Sequence, residues 1–317
     1  MSLLMMNDHH EKIFPVQSTL FEHGEDEQAI ILFLATCTTS FYTRRNYKAA
    51  IDLFRAFHQY LPLKDISWKN MEIYKIRLMN RVNNRTQKKY SPATVAGLLS
   101  PIRSLYKWCS QPKIGIVKED PTSSIKSPKV HVTSGQHYLT KKELSLLFQE
   151  LQRQSLRNYL IGLSLALLGL RVSELTAMRW EDFHTDPMET SIWLTVKKGK
   201  GEKMREVKVP KMLWEQLKQY RIHINMNEYR VFALSTRRVE SIIESARIAG
   251  NIAKKVTPHW LRHTNATFAL LGGASLQQVQ DMLGHSHIHT TQRYLHTVDQ
   301  LKKTASDYVG DYIQDIL

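Results

Sequence analysis

Cysteine is scarce in this sequence, and no apolar segment is long enough to cross a membrane. The two cysteines, Cys37 and Cys109, are far apart and in no metal-binding spacing, so we expect two structural thiols in a reducing compartment. The longest apolar run, Tyr159–Leu170, has about half of the ~20 residues that a membrane-spanning helix needs. The N-terminus has neither the basic start nor the long apolar stretch of a secretory signal. These absences predict a cytoplasmic protein without a membrane anchor.

Nucleotide and metal motifs are also missing. The Gly-Lys-Gly segment at 199–201 lacks the Gly-x-x-x-x-Gly-Lys-Ser/Thr spacing of a phosphate-binding loop, which argues against nucleotide hydrolysis. His285, His287 and His289 alternate, but no nearby carboxylate or cysteine completes a metal site. No repeat of about 20 to 50 residues occurs, which excludes solenoids and propellers. We therefore expect no cofactor and no metal.

Acidic residues are few relative to basic ones. The chain has 44 Lys and Arg against 29 Asp and Glu, a formal net charge of +15. The charge is uneven, because residues 1–30 carry −5 and residues 31–317 therefore carry +20. This excess predicts binding to a polyanion, of which nucleic acid is the commonest and an anionic membrane the rival.

The length of 317 residues favours two domains over one. Helical periodicity and capping residues predict four helices early in the chain, at residues 28–36, 43–61, 67–82 and 91–109. A segment containing three prolines and scattered serines and lysines follows, without an apolar period, and is typical of a linker. The predicted organisation is a mobile acidic N-terminus (1–25), a helical domain (26–110), a linker (111–137) and a second domain (138–317).

The second of these helices has an apolar and a basic face. Its apolar residues recur at helical spacing behind the possible N-cap Thr43, and they are Tyr47, Ile51, Phe54 and Phe57. The opposite face carries Arg44, Arg45, Lys48 and Arg55. The fourth helix opens on Ser91-Pro92, and Pro101 within it predicts a kink. We predict DNA contacts from Arg44, Arg45, Lys48 and Arg103. The linker lysines could follow a phosphate backbone or be merely solvated, and they are Lys113, Lys118, Lys126 and Lys129.

The second domain is predicted to be helical with a small β-hairpin, which gives a mainly α (α+β) fold class. Thr140 and Glu143 form a capping box that opens a helix, and an apolar helix over 159–168 ends at Gly169. Residues 192–196 and 206–209 are strand-like runs that flank a lysine-rich tip.

Four separated segments of this domain carry residues suited to one chemistry. Each residue alone has an ordinary explanation, since an arginine at a helix end is usually a solvated cap. The ordered set is less ordinary: Gly169-Leu-Arg-Val-Ser-Glu-Leu175, Gly199-Lys-Gly201, His259-Trp-Leu-Arg-His263, and Leu283-Gly-His-Ser286 followed by Tyr294. Together these segments resemble the phage integrase/Xer family of tyrosine recombinases. The resemblance covers residues 139–317, and residues 26–109 are more weakly similar to the family's core-binding domain.

The resemblance implies an enzyme that cleaves and rejoins DNA through a 3′-phosphotyrosyl intermediate and exchanges strands through a Holliday junction. Its partners would be double-stranded DNA, three further copies forming a tetramer on two DNA sites with a dimer on each, and possible accessory DNA-bending proteins. No membrane partner is expected, and the protein would be cytoplasmic and nucleoid-associated. The biological task would be DNA integration, excision or the resolution of replicon dimers.

The chemistry explains why these residue types are needed. A phosphodiester gains negative charge on attack, so fixed cationic donors must be in place, and Arg171 and Arg262 suit that role because guanidinium forks onto two oxygens. His259 and His285 would add hydrogen bonds to the same phosphate. Tyr294 would be the nucleophile, and His259 is the proton acceptor that the family suggests.

Lys200 at the hairpin tip would deliver a proton to the departing 5′-oxygen, with Lys198 and Lys203 as possible substitutes and further DNA contacts. Glu174 matches the family's acidic position and would orient the arginines, or it is an ordinary helix-terminal glutamate. The bulky Trp260 after His259 is one departure, at a position that tolerates apolar residues, and it leaves the assignment intact.

Residues 301–317 form an amphipathic segment whose apolar face is Ala305, Tyr308, Val309, Tyr312, Ile313 and Ile316. In the family such a helix docks on a neighbouring protomer, and packing on its own domain is the alternative. Two other functions stay open. One is a DNA-binding regulator that kept the fold with little catalysis, and the other is supercoil relaxation of the type IB topoisomerase kind, which the domain layout disfavours.

Overall fold

The computed structural model describes residues 24–37, 40–84, 86–129, 137–197, 204–225, 227–285, 288–302 and 304–314. Two compact units, Met1–His131 and Val132–Leu317, make up the chain. The structure is mainly helical with one three-stranded sheet, which confirms the predicted fold class. Within the described ranges, no helix is long and apolar enough to cross a membrane.

The described residues of the first unit form four α-helices around one hydrophobic core. The helices are α1 (Glu25–Cys37), α2 (Phe41–Phe57), α3 (Trp68–Asn80) and α4 (Pro92–Cys109). Phe54 is fully buried, and its ring meets Tyr74 of α3 edge-on at 5.1 Å between centroids. Cys109 is buried in the same core, as expected for a structural thiol, whereas the side chain of Cys37 lies outside the described residues.

Helix α2 begins and ends earlier than the sequence predicts. Its N-cap is Ser40, whose hydroxyl accepts a hydrogen bond from the backbone N–H of Thr43, so the prediction of Thr43 as cap is wrong. The helix ends at Phe57 because Gln59 and Tyr60 take positive φ angles of 51° and 58°. In α4, Ser91 caps the helix as predicted, and the helix continues through Pro101.

Arg55 belongs to the core and not to the predicted basic face of α2. Its guanidinium donates to a carboxylate oxygen of Asp26 at 2.6 Å and to the carbonyl of Leu61 at 3.0 Å. Only 6% of Arg55 is exposed. Asp26 is distant in the chain and Leu61 lies beyond the end of α2, so helical spacing around Arg55 did not predict either acceptor.

The predicted linker is partly packed on the first unit. Val117 and Ile125 are buried in the core that α1 to α4 form. The division between the two units, after His131, falls inside the predicted linker.

The second unit contains most of the chain. Its helices are α5 (Lys141–Gln154), α6 (Leu156–Leu168), α7 (Val172–Ala177), α8 (Lys211–Ile222), α9 (Thr236–Ala249), α10 (Pro258–Leu271), α11 (Leu276–Leu283), α12 (Ile288–Lys302) and α13 (Ala305–Ile313). The Thr140 and Glu143 capping box of α5 is confirmed, with reciprocal bonds of 2.8 and 3.2 Å. Gly169 ends α6 as predicted, in the left-handed region at φ 59°.

The sheet has the order β1 (Phe183–Thr185), β2 (Ile192–Val196) and β3 (Arg205–Val209), with both pairs antiparallel. Val196 faces Arg205 across the predicted hairpin, and Phe183 faces Leu194. The sequence did not predict β1, because three residues are too few to establish an alternating pattern.

A second, smaller core in this unit joins α10, α11 and α12. Its buried residues are Ala266, Leu270, Val279, Leu283, Tyr294 and Val298. Tyr294 is therefore fixed by packing, with 6% of its surface exposed. Helix α13 contributes no buried residue, and Tyr308, Val309 and Tyr312 are all exposed.

Candidate active site

Arg171 lies where α6 gives way to α7. The positive φ of Gly169 lets the chain turn away from α6, and Arg171 becomes the residue that precedes α7. Its backbone N–H donates to Glu174 at 2.8 Å, and its guanidinium donates to the same carboxylate at 2.9 Å. Because 43% of its side chain remains exposed, Arg171 offers a cation that is held on one side and accessible on the other.

Glu174 is the acceptor for a second arginine, which sequence reasoning missed. Both terminal nitrogens of Arg205 donate to the Glu174 carboxylate at 2.8 Å, and the two side chains are each 7% exposed. The Nε of Arg205 donates to the carbonyl of Met282 at 2.8 Å. Arg205 thereby connects strand β3 to α7 and to the end of α11.

The strand pattern contained the signal for Arg205. In β3, residues 205, 207 and 209 share the buried face, and the last two are valines. A charged residue on the buried face of a strand requires a partner of opposite charge. That partner, Glu174, keeps its charge: burial alone would raise the pKa of Glu174, but the hydrogen bonds from Arg205 and Arg171 outweigh it and lower the pKa to about 2.

Arg262 is buried beneath the site. It is 2% exposed and donates to two backbone carbonyls at 2.6 Å, those of Gly169 and Leu283. Its Nη1 also lies 3.9 Å from Glu174. Burial, and then the charge of Arg171, lower the pKa of Arg262 to about 10, so it remains charged at neutral pH.

Two histidines of α10 lie between the arginines and the tyrosine. His259 and His263 are one turn apart, and their Nε2 atoms are 2.9 Å apart. The Nδ1 of His263 lies 2.6 Å from the Tyr294 hydroxyl oxygen. His263 appeared in the sequence motif without a role, although its i+4 position places it on the same helix face as His259.

Both histidines are neutral at neutral pH. Removal from water, and then the charge of Arg262, lower the pKa of His259. Burial, followed by the neighbouring His259, lowers the pKa of His263 to about 3. A neutral imidazole can accept a proton from one side and donate on the other.

His285 follows Gly284, which ends α11 in the left-handed region at φ 65°. The Nδ1 of His285 lies 2.9 Å from the hydroxyl of Thr291 on α12. Burial, and then the charge of Arg262, lower the pKa of His285 to about 4. A Cβ at Gly284 would lie 2.8 Å from Cδ of Arg205, so only glycine lets this turn approach that arginine.

The comparisons with known proteins match the same region. The sequence model of the phage integrase family covers residues 137–300, which is more than half of the chain. The chain belongs to the phage integrase family of tyrosine recombinases. A tyrosine recombinase of Pseudothermotoga lettingae is 32% identical over 247 residues, which are 76% of this chain and 82% of that relative.

Solved tyrosine recombinases share the fold. The XerH site-specific recombinase, in a post-cleavage complex with a palindromic difH substrate, has a TM-score of 0.65 at 19% identity and covers 89% of this chain and 84% of its own. A lambda integrase tetramer bound to a Holliday junction has a TM-score of 0.64 at 18% identity, with 84% and 75% covered.

The structure thus brings together most of the site residues that the sequence predicts for a tyrosine recombinase. Arg171, Glu174, His259, Arg262, His285 and Tyr294 form one region of the second unit. The hairpin tip with Lys198, Lys200 and Lys203 lies outside the described residues, as does His287 of the histidine alternation. The strand before the tip is anchored where Lys197 pairs with Asp182 at 2.5 Å.

The predicted DNA contacts of the first unit differ in their surroundings. Arg44 and Arg45 are exposed on α2, and Arg45 lies over the ring of Tyr42 at 5.4 Å. Lys48, also exposed, pairs with Asp52 at 2.9 Å. The guanidinium of Arg103 instead donates to Ser127 and to the carbonyl of Ile125, which attaches the middle of the predicted linker to α4.

Proposed function

We propose that this chain is a site-specific DNA recombinase that cleaves and rejoins DNA through a 3′-phosphotyrosyl bond on Tyr294. Strand exchange would then proceed through a Holliday junction. The observation that carries this proposal is the placement of the Tyr294 hydroxyl beside neutral histidines, next to two arginines that share Glu174. A phenol, a proton acceptor and fixed cations are what phosphoryl transfer to tyrosine requires.

Each cation has a distinct part in the proposed reaction. The exposed side of Arg171 can fork onto two nonbridging oxygens of the scissile phosphate, because its other side is held by Glu174. Arg262, fully charged and desolvated, would raise the positive potential beneath that phosphate. His259 and His285 would donate to the same oxygens. By analogy with other anion-stabilising donors, loss of one such contact should lower the rate by about 10² to 10³.

The departing 5′-oxygen needs a proton before it leaves, and we assign this step to Lys200. A lysine at the end of a hairpin can reach a phosphate bound at Arg171, since β3 begins with Arg205, which is hydrogen-bonded to Glu174. Lys198 and Lys203 are the alternatives on the same tip. The phosphotyrosyl bond conserves the energy of the broken phosphodiester, so rejoining needs no ATP.

The partners proposed are double-stranded DNA and further copies of this chain. The first unit would act as the core-binding domain, with Arg44, Arg45 and Lys48 on the phosphate backbone, and the second unit as the catalytic domain. The lambda integrase tetramer on a Holliday junction supports a tetramer on two sites here. The exposed apolar residues of α13 support docking of this helix on a neighbouring copy instead of on its own unit. The reaction would take place on the DNA of the nucleoid, in the cytoplasm, and accessory DNA-bending proteins could assist it.

The first test uses nicked suicide substrates made from the DNA that flanks the gene. Wild type should form a protein–DNA adduct that survives denaturation, and Tyr294→Phe should form none. Tyr294→Phe is a suitable control because the ring fills the same space in the small core of α10, α11 and α12. An adduct that persists in Tyr294→Phe would show that another residue is the nucleophile.

The alternative is a DNA-binding regulator that has kept the fold with little catalysis. It predicts salt-sensitive binding to the same DNA without any adduct in wild type. The partly buried hydrogen bond between Tyr294 and His263 favours the enzyme, because a regulator gains nothing from placing a phenol against a neutral imidazole.

A further inference from the structure

A hydrogen-bonded path runs from Tyr294 to the surface of the second unit through His263. The Tyr294 hydroxyl lies 2.6 Å from Nδ1 of His263, and Nε2 of His263 lies 2.9 Å from Nε2 of His259. Exposure increases along this path, since Tyr294 is buried, His263 is half-buried and His259 is exposed. His263 therefore separates the phenol from the histidine that an incoming phosphate can reach.

The surroundings of His263 fix its position and its charge. Its ring meets His259 edge-on at 4.2 Å between centroids, lies 5.3 Å from the Tyr294 ring and 6.3 Å from the His137 ring. The titratable and charged groups that face it are His259, His137, Arg262 and His285, in addition to Tyr294. Every neighbour that can carry a positive charge disfavours a second one on His263, which keeps the ring neutral at rest.

A neutral imidazole has one N–H and one acceptor nitrogen, so the two contacts of His263 must have opposite directions. If Tyr294 donates to Nδ1, then Nε2–H of His263 donates to Nε2 of His259. His259 in turn carries its proton on Nδ1, which is the nitrogen that remains for a phosphate oxygen. With these tautomers, the Tyr294 proton points toward Nδ1 of His263. The Nδ1–H of His259 is then available to donate to the substrate phosphate.

We propose that His263 is the first acceptor of the Tyr294 proton and relays a proton to His259. This inference rests on the proposed function. As the Tyr294 oxygen bonds to phosphorus, its O–H bond breaks and the proton passes to Nδ1 of His263. The Nε2 proton of His263 passes to Nε2 of His259, and the P–O5′ bond breaks with the 5′-oxygen taking a proton from a separate acid. Nothing is oxidised or reduced, and rejoining reverses each transfer.

The substrate itself gives the relay its direction. A phosphodiester anion beside His259 favours the protonated form of that ring, because an opposite charge within about 4 to 6 Å raises the affinity for a proton. His263 releases its Nε2 proton as it gains one on Nδ1, so it is neutral both before and after the transfer. The low pKa of His263 thus suits a group that passes a proton on and does not keep it.

His263→Asn separates a relay from a positioning contact. The Oδ1 of asparagine takes the place of Nδ1 and can still accept the Tyr294 hydrogen bond, but it cannot take the proton. We expect the rate of adduct formation on the suicide substrate to fall by about 100-fold or more, the usual contribution of a general base. The residual rate should rise with pH toward the ordinary pKa of a phenol, near ~10. His223→Asn, an exposed histidine at the end of α8, is the matched control and should cleave at the wild-type rate.

Two results would overturn the relay. One is a His263→Asn enzyme with the wild-type cleavage rate and pH profile. The other is recovery of His263→Asn on a substrate with sulfur in place of the 5′-bridging oxygen. A thiol has a pKa near ~8.5 and leaves without protonation, so that substrate repairs defects on the leaving-group side alone. The defect in His263→Asn should persist on the sulfur substrate.

A spectroscopic measurement without DNA tests the tautomer of His263 that the relay requires. Nitrogen-15 spectra of the full chain, with His263 assigned by the loss of its signals in His263→Asn, should show a neutral ring with its proton on Nε2 down to at least about pH 5. A proton on Nδ1 would reverse the bond to Tyr294 and overturn the proposal. If wild type forms no adduct, the proposed function fails, and this measurement still decides whether the relay geometry exists.

Discussion

Glu174 and Arg205 form a buried ion pair in the site. Each side chain is 7% exposed, and the carboxylate receives two bonds of 2.8 Å from the guanidinium. Removing one partner of such a pair leaves an uncompensated buried charge, which costs about 3 to 5 kcal/mol. We therefore expect Arg205→Ala to lower the free energy of unfolding of the second unit by about that amount, measured by urea denaturation.

Lys208→Ala is the matched control for Arg205→Ala, since Lys208 is an exposed residue of the same strand. It should change the free energy of unfolding by no more than about 0.5 kcal/mol. Equal effects of the two substitutions would contradict the assigned role of Arg205. A cleavage defect in Arg205→Lys with unchanged DNA binding would indicate that Glu174 has lost its hold on Arg171.

The neutral histidines make the stability of the second unit depend on pH. The pKa is lowered from 6.5 to about 3 for His263 and to about 4 for His285. As the pH falls below 6.5, the unfolded chain binds protons on these rings that the folded chain does not, so the free energy of unfolding decreases. The slope is at most about 1.4 kcal/mol per pH unit for each histidine.

Chemical denaturation between about pH 7 and pH 5 measures this slope, in a range above the ordinary titration of Asp and Glu. His263→Asn should flatten the dependence by the contribution of one histidine. A wild-type stability that is constant over this range would contradict the neutral state of the two rings.

The sequence predicted the candidate site residues that belong to a linear motif and missed Arg205 and His263, whose candidate roles depend on a tertiary contact. Arg262 and His285 stand in short segments with recognisable neighbours. Arg205 and His263 also lie next to motif residues, but their parts depend on Glu174 and Tyr294, which are distant in the chain. Spacing alone cannot say which distant side chain completes a hydrogen bond.

At the level of helices and strands, Gly169 connects the end of α6 to the site. It takes a φ of 59°, its carbonyl accepts from Arg262, and an added Cβ would lie 2.7 Å from Oδ1 of Asn265. We expect Gly169→Ala to lower the free energy of unfolding by at least about 1 to 2 kcal/mol, the cost of a left-handed alanine. Thermal unfolding measures the change.

Gly97→Ala is the contrasting substitution. Gly97 lies within α4, and nothing is within 4 Å of the position of an added Cβ. Alanine there should raise the free energy of unfolding by about 0.4 to 1 kcal/mol, because it restricts the unfolded chain. A stabilising Gly169→Ala would show that the end of α6 does not need its left-handed turn.

Helices were predicted better than their ends, and the sheet was predicted in part. Apolar periodicity placed α2 and α4 because each buries one face. The continuous apolar run placed α6, which is buried along nearly its whole length. The start of α2 was wrong because Thr43 and Ser40 are both good caps, and side-chain type alone does not distinguish them. Strand β1 was missed because it depends on pairing with β2 and not on a pattern of its own.

At the level of the whole chain, the sequence predicted the excess of basic residues. It did not predict which of them are exposed and which are hydrogen-bonded within the protein. Arg44 and Arg45 are exposed, whereas Arg103 holds Ser127 and the carbonyl of Ile125. Each phosphate contact contributes about 0.9 to the slope of log K against log salt. The double variant Arg44→Ala/Arg45→Ala should therefore reduce the slope of DNA binding by about 2, measured by fluorescence anisotropy across salt concentrations.

Arg103→Ala tests whether Arg103 contacts DNA or has only a structural role. It should lower the stability of the first unit and leave the salt slope unchanged. A reduced slope of log K against log salt in this variant would show that Arg103 contacts DNA, as the sequence predicts.

Arg262 donates hydrogen bonds to two backbone carbonyls, and this affects what its presence in a distant relative says about catalytic activity. A descendant that had lost all chemistry would still need this arginine to join the ends of α6 and α11, and it would still need Glu174 and Arg205 as a pair. Selection for folding alone would therefore retain Arg262 and Glu174, two of the predicted site residues. If the proposed mechanism holds, the groups whose loss costs little folding energy, such as the hydroxyl of Tyr294 and the exposed guanidinium of Arg171, are the ones whose retention in a lineage would indicate continued DNA cleavage.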